Sequence, residues 1–255
     1  MKLSIITPTH NRLSFLKEAI ASVQRSTPNP LPLTLAHVVH DCGSTDGTRL
    51  WLQTEASGVI PVFSGEKMPP GRARNLAVEH AGRGDTDDDF LLPLDDDDLL
   101  LQRTAHHFVY VLTQEAPAAQ WAVSDFLRVD ETGRYIPGED YYGWRFGSVP
   151  EMLQAIFSAS HFIQGNVCYR RTLFDRVGGY DPALTMAEDL DLYVRFLLDG
   201  QLPRYVPIVS HLHRMHRNNT SKGVDKHKYN EDMTGLYQKY SAQLRRMGIE
   251  LRLIP

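Results

Sequence analysis

The chain has 255 residues, 42% hydrophobic and 23% charged, with a formal net charge of −4, which suits a soluble globular protein with one large core or two small ones. Mild acidity argues against a general nucleic-acid binder. Cys42 and Cys168 are too few for a disulfide framework or a cysteine zinc cluster. No stretch approaches the apolar length that spans a bilayer, and the strand-like start at Met1 leaves no signal-peptide core, so the expected location is cytoplasmic.

In chain order, residues 3–7 form a compact apolar strand ended by Pro8, and Leu13, Leu16, Ile20 and Val23 then recur at helical spacing. The three prolines of 26–32 mark a loop, and 33–39 is a second strand. Small and polar residues from Asp41 to Thr48 fit a turn that caps a helix over 50–55. A short strand at 59–63, a loop at 68–71 and a helix over 72–81 lead to a fourth strand, 90–94. Beyond it the pattern predicts helices over 102–114, 149–159, 171–177, 188–198 and 229–246, with extended segments at 122–129, 134–136, 166–169 and 204–209. The alternation of strand and helix through residue 94 predicts a parallel, doubly wound sheet with ligands beyond the carboxyl ends of its strands.

The fourth strand runs into Asp95-Asp96-Asp97-Asp98. Such a run is either a solvated loop or a cation site. In an extended segment Asp95 and Asp97 would share one face and Asp96 would point away. Two carboxylates leaving a strand end together make a hard-oxygen site suited to Mg²⁺ or Mn²⁺. Residues 85–98 contain no Lys or Arg, whereas the region after Asp199 is rich in Arg, Lys and His. An acidic centre facing a basic flap would suit a phosphate-bearing ligand, and a basic helix facing water would explain the same pattern. His106-His107 reads as helix surface, and the aromatic cluster over 141–146 as either a sugar-stacking platform or a satellite core. The dinucleotide and P-loop glycine fingerprints are absent, as are a Gly-x-Ser-x-Gly elbow and a His-Glu-x-x-His helix.

Thr7-Pro8-Thr9-His10-Asn11-Arg12, Asp41-Cys42-Gly43-Ser44, Gly71-Arg72-Ala73-Arg74-Asn75, Leu94 through Asp98, Val177-Gly178-Gly179-Tyr180-Asp181, Ala187-Glu188-Asp189 and His213-Arg214-Met215-His216 occur in that order. Together they resemble the inverting family 2 glycosyltransferases. The resemblance implies a single α/β domain of the GT-A fold over 1–221, with a Rossmann-like, mostly parallel central sheet flanked by helices. Residues 1–100 would form its nucleotide-sugar and metal half, 101–221 its acceptor and catalytic-base half, and 222–255 a helical extension. It implies transfer of one sugar from a nucleoside-diphosphate sugar, of UDP or dTDP type, to a saccharide, lipid-linked or natural-product acceptor. Thr7, Pro8, Thr9, His10, Asp41, Arg72, Arg74, Asp95 and Asp96 would bind the nucleotide sugar. Asp97 and His216 would hold Mn²⁺ or Mg²⁺, with Asp98, His213 and His211 in reserve. Asp189, beside Glu188, would be the general base, although an acidic pair there also suits a helix N-terminus through its dipole. A peripheral membrane contact or a homodimer could involve Lys239, Arg245 and Arg246 of the last helix. A non-catalytic nucleotide-sugar or carbohydrate-binding relative is the alternative.

Overall fold

The computed structural model describes residues 1–26, 32–84, 88–141, 143, 145–160, 163–217, 219 and 226–253. The first half follows the expected alternation: β1 (Lys2–Thr9), α1 (Leu13–Gln24), β2 (Thr34–Cys42), α2 (Thr48–Thr54), β3 (Ile60–Ser64), α3 (Pro70–His80) and β4 (Asp89–Pro93). These four strands pair in parallel in the order β3-β2-β1-β4. All five residues of β4 are buried, as expected for a central strand covered on both faces. On α1 the buried positions Leu16, Ala19, Ile20 and Val23 form one stripe, which fixes the face that packs on the sheet.

The second half extends the same sheet with mixed polarity. It contains β5 (Leu99–Leu100), α4 (Thr104–Tyr110) continued by a π-turn over Val111–Glu115, β6 (Trp121–Asp130), β7 (Tyr135–Tyr141), α5 (Val149–Ile156), β8 (Val167–Arg170), α6 (Arg171–Val177) and α7 (Glu188–Leu198). The chain then forms β9 (Arg204–Met215), α8 (Lys226–Lys239) and α9 (Ser241–Arg246). Beyond β4 the strand order continues β8-β6-β9-β5, with β7 on β6. The β8 and β7 pairings are antiparallel, while β6 and β9 run parallel.

Two departures from the sequence pattern bear on function. β9 continues to Met215, six residues past the expected end, so His211 and His213 sit on a strand paired with β6. The expected last helix breaks at Tyr240, where Lys239 and Tyr240 both turn their side chains onto Asp191 of α7. Arg195 takes the other oxygen of that fully buried carboxylate. Lys239, read as a basic surface group, stays 40% exposed at its side chain while pairing with Asp181 and Asp191. Met233, Leu236, Leu244 and Ile249 join the core formed by α5 and α7. The boundary at 221, Tyr142 and Trp144 lie outside the described residues. Phe146 of the same aromatic cluster packs against the core.

Phe90 is fully buried at the centre of the sheet, with the Arg170 guanidinium 5.0 Å from its ring centroid. Phe90→Ala should therefore lower the unfolding free energy by about 3–5 kcal/mol, read as a reduced midpoint in urea titration; a change within 1 kcal/mol would contradict the central place of this residue.

Candidate functional site

The carboxyl ends of β1, β2 and β4 open into a cavity of about 730 Å³, within the size range of small-molecule sites. Pro8 to Arg12 and Cys42 line it from the sheet, Ala73 and Arg74 from α3, and Asp95 to Asp97 from the end of β4. The opposite wall is Thr185 to Leu190 at the start of α7, with Tyr180 and Tyr193 beneath and Tyr229 and Asp232 of α8 above. Three lining residues other than glycine, Asn11, Ala159 and Ala187, have left-handed backbone with φ of 55°, 49° and 56°. Strain of this kind costs of order 1–3 kcal/mol per residue and concentrates at functional sites.

The four aspartates do not continue the strand. They form a turn in which Asp98 N–H donates to Asp95 O at 3.2 Å, so the alternation expected of an extended segment fails. Asp96 and Asp97, expected on opposite faces, share one guanidinium: Arg12 Nη1 donates to Asp96 Oδ1 at 3.0 Å and to Asp97 Oδ2 at 2.5 Å. His216 Nε2 is 2.9 Å from the same Asp97 oxygen, and Phe15 stacks on its ring. Asp95, the most exposed of the four, pairs with Arg74 at 2.6 Å. Asp98 faces β9, where Arg214 N–H donates to its Oδ1 at 2.9 Å and His213 Nδ1 lies 3.3 Å from its Oδ2.

These settings divide the acids by charge. Burial, reinforced by Asp97 against the opposing pull of Arg12, pushes Asp96 up to about 7. Burial and the neighbouring Asp98 and Asp95 raise Asp97 as well. Burial also disfavours charge on Asp98, but His213, His211 and the Arg214 N–H outweigh it and hold the carboxyl below its ordinary range. Oxygen atoms of Asp95, Asp97 and Asp98 lie within 4.8 Å of one another, a hard-oxygen donor set that fits Mg²⁺ or Mn²⁺. Arg12 places positive charge on one of these acids, Asp97, and on Asp96 beside it.

On the opposite wall, Glu188 and Asp189 begin α7. Arg74 ties them to the aspartate turn, since its Nη1 donates to Glu188 Oε1 while Nη2 donates to Asp95 Oδ1. Burial works against the guanidinium charge, but Asp95 and Glu188 raise the Arg74 pKa well above the usual value. Asp189 Oδ1 accepts from Leu190 N–H at 2.7 Å. Burial and the Glu188 charge nevertheless push the Asp189 carboxyl up to about 7, against the attraction of Arg74.

Of the residues expected at the site, Pro8, Thr9, His10, Arg74, Asp95, Asp96, Asp97, Glu188 and Asp189 line this cavity. His216 adjoins it through Asp97. Thr7 is buried behind it, with its hydroxyl 2.9 Å from His37 Nε2. Asp41 is also fully buried; Oδ1 accepts from Ser44 N–H, and Oδ2 has no hydrogen-bond partner. Arg72 points outward on α3 and does not line the cavity. Sequence reasoning gave Arg12, Tyr229 and Asp232 no role. The need of four adjacent acids for a nearby cation was a signal for Arg12, whereas Tyr229 and Asp232 reach the cavity only through the docking of α8.

A sequence model described as "Glycosyl transferase family 2" matches residues 4–178. The chain is 27% identical over 218 residues to YwdF of Bacillus subtilis (strain 168), named as an uncharacterized glycosyltransferase, covering 82% of this chain and 73% of that protein. The structure of S. aureus TarS 1–349 in complex with UDP-GlcNAc matches with a TM-score of 0.69 at 18% identity, over 93% of this chain and 66% of that one. The mannosyltransferase PcManGT from Pyrobaculum calidifontis, in complex with GDP-Man and Mn²⁺, matches with a TM-score of 0.64 at 18% identity, over 94% of this chain and 64% of that one. The chain thus spans just under two thirds of either solved structure, and the likeness is one of fold.

The raised Asp189 gives a stability signature. A carboxyl near 3.9 in the unfolded chain and near 7 in the fold contributes stability that is complete below the unfolded value and lost as pH rises through the folded one. Asp189→Asn should therefore gain stability relative to the parent chain as pH rises from 4 to 7, with the difference flat above pH 8. Urea titrations of both proteins across that range would show it; a difference constant with pH would contradict the raised pKa of this acid.

Proposed function

This chain belongs to glycosyl transferase family 2 and has the GT-A fold, and we propose that it is a metal-dependent inverting glycosyltransferase moving one sugar from a nucleoside-diphosphate sugar to an acceptor hydroxyl or amine. The observation that carries this reading is a cavity whose acidic, cation-ready wall faces a half-buried carboxylate pushed up to about 7. A general base works best when its pKa lies near the working pH. In this reading Asp189 takes the proton of the acceptor O–H as that oxygen attacks the anomeric carbon. The bond from that carbon to the diphosphate oxygen breaks on the opposite face, which inverts the configuration. Arg74, held by Glu188 and Asp95, keeps the base wall in register with the donor wall.

Asp95, Asp97 and Asp98 fit Mn²⁺ or Mg²⁺, His216 beside Asp97 would join them, and such an ion would supply countercharge to the diphosphate leaving group. Pro8, Thr9 and His10 would face the nucleotide, with Asp95 and Asp96 toward the ribose and phosphates, while Thr7 and Asp41 would support that surface from behind. Arg72 would meet phosphate only at the cavity's rim. The UDP-GlcNAc named for TarS and the GDP-Man and Mn²⁺ named for PcManGT support a nucleotide-sugar donor here, which we read as a UDP or dTDP sugar. The acceptor would enter beside α7 and α8 and be a saccharide, a lipid-linked sugar or a natural product. A cytoplasmic setting suits such a donor; no described helix is long and apolar enough to cross a membrane.

A thermal-shift panel of nucleoside diphosphates with and without Mn²⁺ tests the donor half. At a hundredfold excess over Kd the matching nucleotide should add about 2.7 kcal/mol of stability, and Asp97→Ala should weaken metal and nucleotide binding together. Equal nucleotide affinity with and without Mn²⁺ would remove the metal from this reading. Asp189→Asn should abolish sugar transfer while sparing nucleotide binding; near-normal turnover would show that the base lies elsewhere.

A further inference from the structure

Asp98, His211 and His213 meet at the edge of the site, where β5 and β9 pair. Their ligand-capable atoms lie within 4.8 Å of one another: His213 Nδ1 is 3.3 Å and His211 Nε2 3.8 Å from Asp98 Oδ2. His211 and Asp98 are each 3% exposed. The protons explain why this arrangement is unusual. Ser210 Oγ lies 3.2 Å from Asp125 O and 3.0 Å from His211 Nδ1. When that hydroxyl donates to Asp125 O, Nδ1 carries the ring proton of the neutral His211 and Nε2 presents a bare lone pair. That nitrogen is buried, has no hydrogen-bond partner and faces a carboxylate oxygen. In that tautomer two acceptors face each other out of water and repel, and leaving one of them unsatisfied is destabilising.

A cation between them removes the conflict. Bonds of 2.0–2.2 Å in a tetrahedral site set neighbouring ligands about 3.3–3.6 Å apart, close to the two separations seen here. The Nδ1–H to Ser210 contact is the outer hydrogen bond that fixes the tautomer of a metal-binding histidine. The second oxygen of Asp98 is held by the Arg214 N–H.

We propose that Asp98, His211 and His213 form a second metal site, selective for a divalent transition ion such as Zn²⁺, Mn²⁺ or Co²⁺ over Mg²⁺, which shares Asp98 with the oxygen-lined set of Asp95, Asp97 and Asp98. Imidazole nitrogen favours transition ions, whereas carboxylate and water suit Mg²⁺ equally well. His213 binds the metal through Nδ1 as a neutral ring with its proton on Nε2, so an imidazolium His213 would release its Nδ1 proton to solvent on binding. The site stands whether or not the donor reading above is right, because its ligands are defined without any nucleotide.

Co²⁺ alone, titrated into the full chain and followed by its visible d–d absorption, tests the proposal in Asp97→Ala, where the oxygen-lined site is disabled. One Co²⁺ per chain should remain in that variant, resist excess Mg²⁺, and lose affinity by about 100-fold or more when His211→Gln or His213→Gln is added. No bound Co²⁺ in Asp97→Ala, displacement by Mg²⁺, or retention of the ion after both histidine substitutions would each overturn it. Circular dichroism of the metal-free variants guards against misfolding. The more accessible His213→Gln decides the matter if His211→Gln does not fold.

Discussion

Four consecutive carboxylates at the mouth of a buried strand are held together by an equal investment in positive charge and donors around them. Two like charges 4 Å apart repel by about 4 kcal/mol at an effective dielectric of 20, so the turn needs a partner for each acid. Those partners come from widely separated parts of the chain. Arg12 follows β1, Arg74 lies on α3, and His213, Arg214 and His216 lie on or just beyond β9. Neutralising Asp95 to Asp98 therefore also clamps the first strand, the third helix and the last strand around one point. The cavity forms where these clamps leave the strand ends open.

Arg74 shows how this constraint reaches the opposite wall. It is buried, lies 5.6 Å from the Tyr180 ring centroid, and divides its guanidinium between Asp95 and Glu188. A lysine could supply the charge but not two donors at a fixed planar spacing. Glu188 thus compensates a buried arginine, and Asp189, its neighbour in sequence, has no direct ion pair among the described residues and feels mainly desolvation and the Glu188 charge. Two adjacent acids at one helix start consequently acquire different tasks. Lower on the same helix, Asp191 is satisfied by Arg195, Lys239 and Tyr240, which docks the C-terminal helices over the cavity.

The parallel half of the fold was legible in the sequence because each strand was a short apolar run followed by an amphipathic stripe. Strand-end placement of Pro8 to His10, Cys42 and Asp95 to Asp97 followed from that topology. The orientation of the aspartates was not legible, because alternation describes an extended strand and the chain turns instead under the pull of Arg12. The end of β9 was missed for a related reason: the extended segment was expected to stop at residue 209, yet pairing with β6 and contact with Asp98 keep His211, His213 and Arg214 extended. Arg72 and Arg74 were equivalent as sequence, two basic residues in one helical turn. Their difference, one exposed and one buried in ion pairs, depends on which face of α3 meets α7.

The distribution of cations also bears on what the acidic turn can exchange. Arg12 is one-quarter exposed at its side chain and lines the cavity, whereas Asp96 and Asp97 beneath it are buried. A divalent ion at Asp97 would take over the neutralising task and weaken the hold on Arg12, leaving its guanidinium beside the place where phosphate charge would arrive. Asp98 is different, because its carboxylate is oriented by a backbone N–H of β9 that no ligand displaces. The run thus combines a part whose charge partners can change on binding with a part fixed to the sheet. The local chemistry then divides Asp97 from Asp98 although they are neighbours in sequence and share the same turn.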